Sequence, residues 1–290
     1  MTATPVEPLE SAIDEVGRLV ALTELEGASH RAIVAGGLDL PEAQVAIGRY
    51  LTGVVAGAVE IDARLEAAMI PSGPRGRSDL DRDIRKLIGD TNGFHTDSET
   101  RFRDQVRNAW IGEGVAHLLI LVRSRVETAC LDGHVHALTK PHVKPSAGGL
   151  DAVAIYEVDQ QPYVAITESK ATNAYGLNEL RKAASMFAEI DQDGYNDELR
   201  ASVGSLRKVV PEELRSQIGD ALWRHAACYV PAIAFGVAFD HLAERSWLES
   251  LVPPIDRRRV LLVGPADYHG FFDAVANAMR AAVEEIVITI

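Results

Sequence analysis

The chain has 290 residues, 47% apolar and 24% charged, enough for one large domain or a domain with a sizeable extension. A net charge of −13 excludes a general nucleic-acid coat protein, and two cysteines, Cys130 and Cys228, exclude a disulfide framework or a cysteine-rich metal centre. No apolar run approaches membrane-spanning length, and residues 1–8 lack the basic and apolar regions of a signal peptide. The expectation is a cytoplasmic protein with reduced core thiols and no membrane partner.

The apolar positions Leu9, Ile13, Val16, Leu19, Val20 and Leu22 predict a helix over residues 9–27. Gly36-Gly37 breaks the chain. Leu40-Pro41-Glu42 then starts a second helix running to about Met69, on which Gly53 and Gly57 make a small face for close helix packing. Pro71–Ser78 reads as a loop, Leu80–Ile88 as a short helix and Gly89–Asp97 as a polar loop. A longer helix follows from Asp97 to about Thr128. Within it Glu113 stands between Gly112 and Gly114, with His117 one turn on.

Residues 133–143 alternate as a strand, with His134 and His136 expected on a solvated face. Gly148–Thr172 reads as a β-hairpin: two apolar runs flank the turn Asp-Gln-Gln-Pro. After it come helices at Leu177–Ile190, about Asp197–Val209, and Pro211 to near His225. Tyr229–Phe239 is a continuous apolar run, expected as a buried central strand. A helix near His241–Leu251, the basic Arg257–Arg259 expected as a solvated loop, and a strand at Val260–Val263 follow. Asp267 caps a final helix over Tyr268–Glu285, and Ile286–Ile290 extends that helix or forms an edge strand. The pattern predicts an α/β fold: a mixed sheet flanked by helices over residues 97–290, behind a helical N-terminal region over 1–96. That N-terminal part is acidic. Residues 1–70 carry four Arg against eleven acids, which serves either solubility or a partner-binding or regulatory role.

The hairpin carries the chemistry. Asp151 opens its first strand, and Glu168 and Lys170 close its second, so antiparallel pairing brings all three to one end. Glu168 and Lys170, two apart, share a face. Two converging carboxylates and an ammonium form a candidate hydrolytic site for a divalent cation. Asp151 and Glu168 would hold Mg²⁺ or Mn²⁺, with the Ser169 carbonyl as a third oxygen and Lys170 orienting water or neutralising charge on phosphorus. Gly148 and Gly149 leave room for a nucleic-acid backbone. Glu113 either joins this site or pairs with Arg107 or Arg123, and His117 is expected to pack. Taken one at a time, these residues also fit a strand start and an exposed cross-strand pair.

Gly-Gly-Leu-Asp151, then Glu168-Ser169-Lys170, preceded by Gly112-Glu113 on a helix and followed by helix Leu177–Ile190, resembles the PD-(D/E)XK nuclease superfamily. Leu150 stands where the motif's name has proline. From about Arg101 onward the chain is most similar to the nuclease subunit of the Hachiman anti-phage system, the HamA type. The resemblance implies a restriction-endonuclease-like fold and a metal-dependent endodeoxyribonuclease with Glu113, Asp151, Glu168 and Lys170 as catalytic residues. It also implies a DNA substrate and a helicase partner. A non-catalytic scaffold on the same fold, or an RNase using the same site, stands as the alternative.

Overall fold

The computed structural model describes residues 6–56, 61–62, 77–122, 129–141 and 149–285. Gly57, Met69, Pro71 to Gly76, Arg123, Thr128, Gly148 and Ile286–Ile290 lie outside them. The described elements are α1 (Val6–Leu19), β1 (Ala21–Glu26), β2 (Arg31–Gly36), α2 (Pro41–Val55), β3 (Ile61–Asp62), α3 (Arg77–Ile88), α4 (Asp97–Phe102), α5 (Asn108–Leu121), β4 (His134–Leu138), β5 (Ala152–Val158), β6 (Gln161–Tyr175), α6 (Leu177–Asp191), α7 (Asn196–Leu206), α8 (Glu212–Arg215), α9 (Trp223–Ala226), β7 (Ala227–Val237), α10 (Ser246–Glu249), β8 (Arg259–Val263) and α11 (Tyr268–Glu285). A π-helical turn, Arg103–Arg107, joins α4 to α5.

All eight strands belong to one mixed sheet in the order β1-β2-β8-β7-β6-β5-β4-β3. β2, β8, β7 and β6 run parallel, while β6, β5, β4 and β3 form an antiparallel meander. The expected hairpin is β5–β6. Its loop is Asp159-Gln160, both with positive φ (48° and 64°), which matches the right-handed twist of the flanking strands.

Alternation along the strands splits the core in two. On β7, Cys228, Val230, Ala232 and Ala234 join the core beneath α1, α2, α3, α5 and α11. Tyr229 and Ile233 point to the other core, under α6 and α7. The continuous apolar run predicted for this strand reflects burial on both faces. Both cysteines are buried and free, as expected.

The structure departs from the sequence reading in several places. The helix expected over 9–27 ends at Leu19, and the chain turns into strand β1. With β2, β1 joins the same sheet as β7 and β8, and α2 packs on α11, so the N-terminal region is not purely helical. The apolar tract Ala32–Ala35, ending at Gly36-Gly37, carried the strand signal. The single helix expected over 211–225 is split into α8 and α9 around Gly219-Asp220, residues that favour turns over helix interiors.

Arg257–Arg259 is not a solvated loop. Arg259 is 2% exposed and donates to the Cys130 carbonyl at 2.6 Å, to Asp132 at 2.6 Å and to Glu24 at 2.7 Å. Arg258 donates to the carbonyls of Leu251 and Pro253, and Arg257 to those of His225 and Ala227. His136 is buried and donates from Nε2 to Glu157 at 2.7 Å, so it is not on a solvated face either. Arg107 is fully buried and engages Asp273 at 2.7 Å. Asp267 accepts from the Gly270 amide at the start of α11, the expected cap.

Candidate active site

The site exists because β5 stops short. Its first paired residue, Ala152, faces Thr167. Glu168–Thr172 of β6 therefore have β7 on one side and no β5 partner on the other. Asp151 stands where the ladder ends, and its Oδ2 accepts from the Ser169 amide at 2.6 Å. The carboxylate thus takes a hydrogen bond from a backbone N–H at the strand's open edge.

Alternation sends Glu168 and Lys170 toward the α6–α7 side of the sheet, since Ile166 belongs to that core. Ser169 and Ala171 face α5. A Cβ placed on Gly112 would lie 3.2 Å from the Ala171 Cβ, so glycine lets the α5 backbone settle directly on β6. On the far side of α5, a Cβ on Gly114 would meet Leu51 Cδ2 of α2 at 2.2 Å. The two glycines flanking Glu113 thus set how close its helix lies to the sheet and to α2.

A cleft of about 980 Å³ opens at this edge, and Glu113, Asp151, Glu168, Ser169 and Lys170 all line it. Every site residue expected from sequence therefore lines one cleft. His117 is elsewhere. It is buried, accepts from the Tyr50 hydroxyl at Nδ1 (2.7 Å) and donates from Nε2 to the Thr139 carbonyl (2.8 Å), a packing role as expected. Sequence reasoning missed Glu179 and Lys182 of α6, which line the cleft and pair at 2.6 Å. It also missed Tyr195 and Glu198. The only sequence signal for the first two was their position on the helix after the Lys170 strand.

The cleft is electrostatically tense. Burial, and then the charge of Asp151, push the Glu168 carboxyl up to about 7, while Lys170 works against that rise. Burial pulls the Lys170 ammonium down, but the charges of Glu168, Asp151 and Glu179 outweigh it and hold the group above its ordinary range. Lys170 Nζ contacts Glu168 Oε1 and lies 3.3 Å from the Ser169 carbonyl oxygen.

Those are two of the three oxygens assigned to a cation, and an ammonium stands on them here. Glu168 Oε2 is buried with no hydrogen-bond partner among the described residues. Among those residues no three His, Cys, Asp or Glu side chains cluster as metal ligands. The available donor set is two carboxylates and a backbone carbonyl, hard oxygens that suit Mg²⁺ or Mn²⁺ with waters completing the shell.

No described helix is long and apolar enough to cross a membrane. The chain matches no protein-family model and no curated protein.

Proposed function

We propose that this chain is a metal-dependent nuclease that hydrolyses phosphodiester bonds of DNA. One observation carries the reading: Asp151, Glu168 and Lys170 meet at an open strand edge, in a cleft that Glu113 also lines. The order α5-β4-β5-β6-α6, with β6 antiparallel to β5 and parallel to the later β7, supports a restriction-endonuclease-like core and the likeness to PD-(D/E)XK nucleases. The similarity to the nuclease subunit of the Hachiman system extends the proposal to anti-phage defence with a helicase partner.

In this reading Asp151, Glu168 and the Ser169 carbonyl would hold Mg²⁺ or Mn²⁺. When bound, the cation supplies Lewis-acid activation of the scissile phosphate and of the attacking water. To hold a cation Glu168 would have to be ionised, against the burial and the Asp151 charge that raise its pKa. Lys170, now on Glu168, would supply positive charge to the phosphate oxygens, where negative charge develops. Asp104 and Glu113 add negative charge to the rest of the cleft, while Glu179 is balanced by Lys182.

The test is cleavage of DNA in Mg²⁺ by Glu168→Ala and Lys170→Ala variants whose unfolding midpoints are measured alongside. Loss of cleavage in folded variants is the expected result. Cutting at the parent's rate by both would refute the assignment.

A further inference from the structure

Glu198 stands in the first turn of α7. Its Oε1 accepts from the Leu150 amide at 2.7 Å. The preceding residue, Gly149, has φ +127°, and a Cβ there would lie 2.4 Å from the same oxygen. The carboxylate fills the space any side chain at 149 would need. One residue beyond Leu150 is Asp151, held on its other side by the Ser169 amide. Paired strand begins only at Ala152, and Glu198 and Ser169 hold the Gly149–Asp151 segment ahead of the ladder.

A carboxylate on a backbone N–H is one of the stronger hydrogen bonds in proteins. The approach of α7 to this peptide is itself forced. Asp193 and Tyr195 both adopt left-handed φ (67° and 60°) around Gly194, turning the chain sharply from α6 into α7. Non-glycine residues occupy that region at a cost of about 1 kcal/mol each, so the surrounding packing must hold the turn.

We propose that Glu198 is a positioning residue: it grips the Gly149–Leu150 peptide so that Asp151 is presented to Glu168 at the open edge of β6. The catalytic consequence rests on the nuclease reading, while the geometric claim stands apart from it. The Glu198 charge also reaches Glu168, but its hydrogen bond is to the Leu150 amide, and it is through that backbone bond that it positions Asp151.

The experiment compares the full chain with Glu198→Ala and Glu198→Gln. The readouts are amide hydrogen exchange at Leu150 and Ser169, calorimetric Mn²⁺ affinity, and cleavage kinetics. In Glu198→Ala, Ser169 amide protection falls about tenfold or more, because Asp151 is no longer held against it. Mn²⁺ binding weakens by about tenfold, and kcat falls while KM for DNA changes little. Glu198→Gln keeps the acceptor oxygen and stays within about threefold of the parent throughout. If Glu198→Ala does not fold, Glu198→Asp, which withdraws the oxygen by one methylene, must show the same fall at Ser169.

Unchanged Ser169 protection in the truncated variant, or a Gln variant as impaired as the Ala variant, overturns the proposal. A parent that neither binds Mn²⁺ nor cleaves defeats the nuclease reading instead, and exchange at Ser169 still decides the role of Glu198.

Discussion

His117 gives the fold a predictable acid sensitivity. A carbonyl oxygen can only accept, so the bond to Thr139 places a proton on Nε2, and Nδ1 must accept from the Tyr50 hydroxyl. Protonating Nδ1 would bury a charge and leave the Tyr50 hydroxyl without its acceptor. Burial accordingly lowers the imidazole from 6.5 to about 4. The sign follows from proton uptake. Between pH 6.5 and 4 the unfolded chain binds a proton that the folded chain refuses, so stability is full above 6.5 and declines as pH falls toward 4.

At pH 4.5 this one residue removes about 2.5 kcal/mol relative to pH 7.5. The assay is urea unfolding by tryptophan fluorescence at both pH values, for the parent, His117→Gln and Tyr50→Phe. The Gln variant has a pH dependence shallower by about that amount, whatever its absolute stability. His30, also lowered by burial, contributes the same slope to both proteins and cancels. Tyr50→Phe frees Nδ1, raises the His117 pKa and costs about 1–2 kcal/mol at pH 7.5. Parallel curves for parent and Gln variant would refute the argument.

Three further outcomes follow from the geometry. The Glu168 carboxyl is raised from 4.5 to about 7, so its contribution to stability is lost as pH rises through that window. Across pH 5 to 8 Glu168→Gln should therefore lose less stability than the parent does, while abolishing cleavage; parallel pH curves in urea unfolding would contradict the burial argument. Gly114→Ala forces a methyl against Leu51 and lowers stability by about 1–3 kcal/mol. Combined with Leu51→Ala it costs less than the sum of the two, and strict additivity would show that the two sites do not meet. Arg259→Met removes a buried guanidinium that ties Glu24, Asp132 and the Cys130 carbonyl together, and lowers stability by about 3 kcal/mol; a change below about 1 kcal/mol by denaturant titration would show the ties are idle.

Much of this was legible in the sequence because local signals agreed with tertiary burial. The hairpin β5–β6, the run in β7 and the capped α11 each declared their period or punctuation within a few residues. Asp151, Glu168 and Lys170 were readable as a group because a hairpin register alone makes them neighbours. Glu198 was not, since its partner is a backbone amide 48 residues earlier in the chain, reached only through a strained turn. Arg259 misled for a similar reason. Three arginines in a row look solvated, and their carboxylate and carbonyl partners are scattered from Glu24 to Asp256. β1 and β2 escaped because a helical stripe in α1 ran on into apolar residues whose true period is two.

The parallel pairing of β2 with β8 has a bearing on how the chain is made. Residue 31 finds its neighbour at residue 259, and α2 finds its own in α11. A ribosome delivers those partners long after β2 and α2. Until then the nascent chain must carry β2 with a bare edge and α2 with an uncovered apolar flank, the kind of surface that recruits chaperones or aggregates. Such distant pairings also slow refolding. The parallel half of the sheet that backs β6 through β7 is closed only by these late contacts, so chains truncated before residue 259 should fail to settle into a stable site.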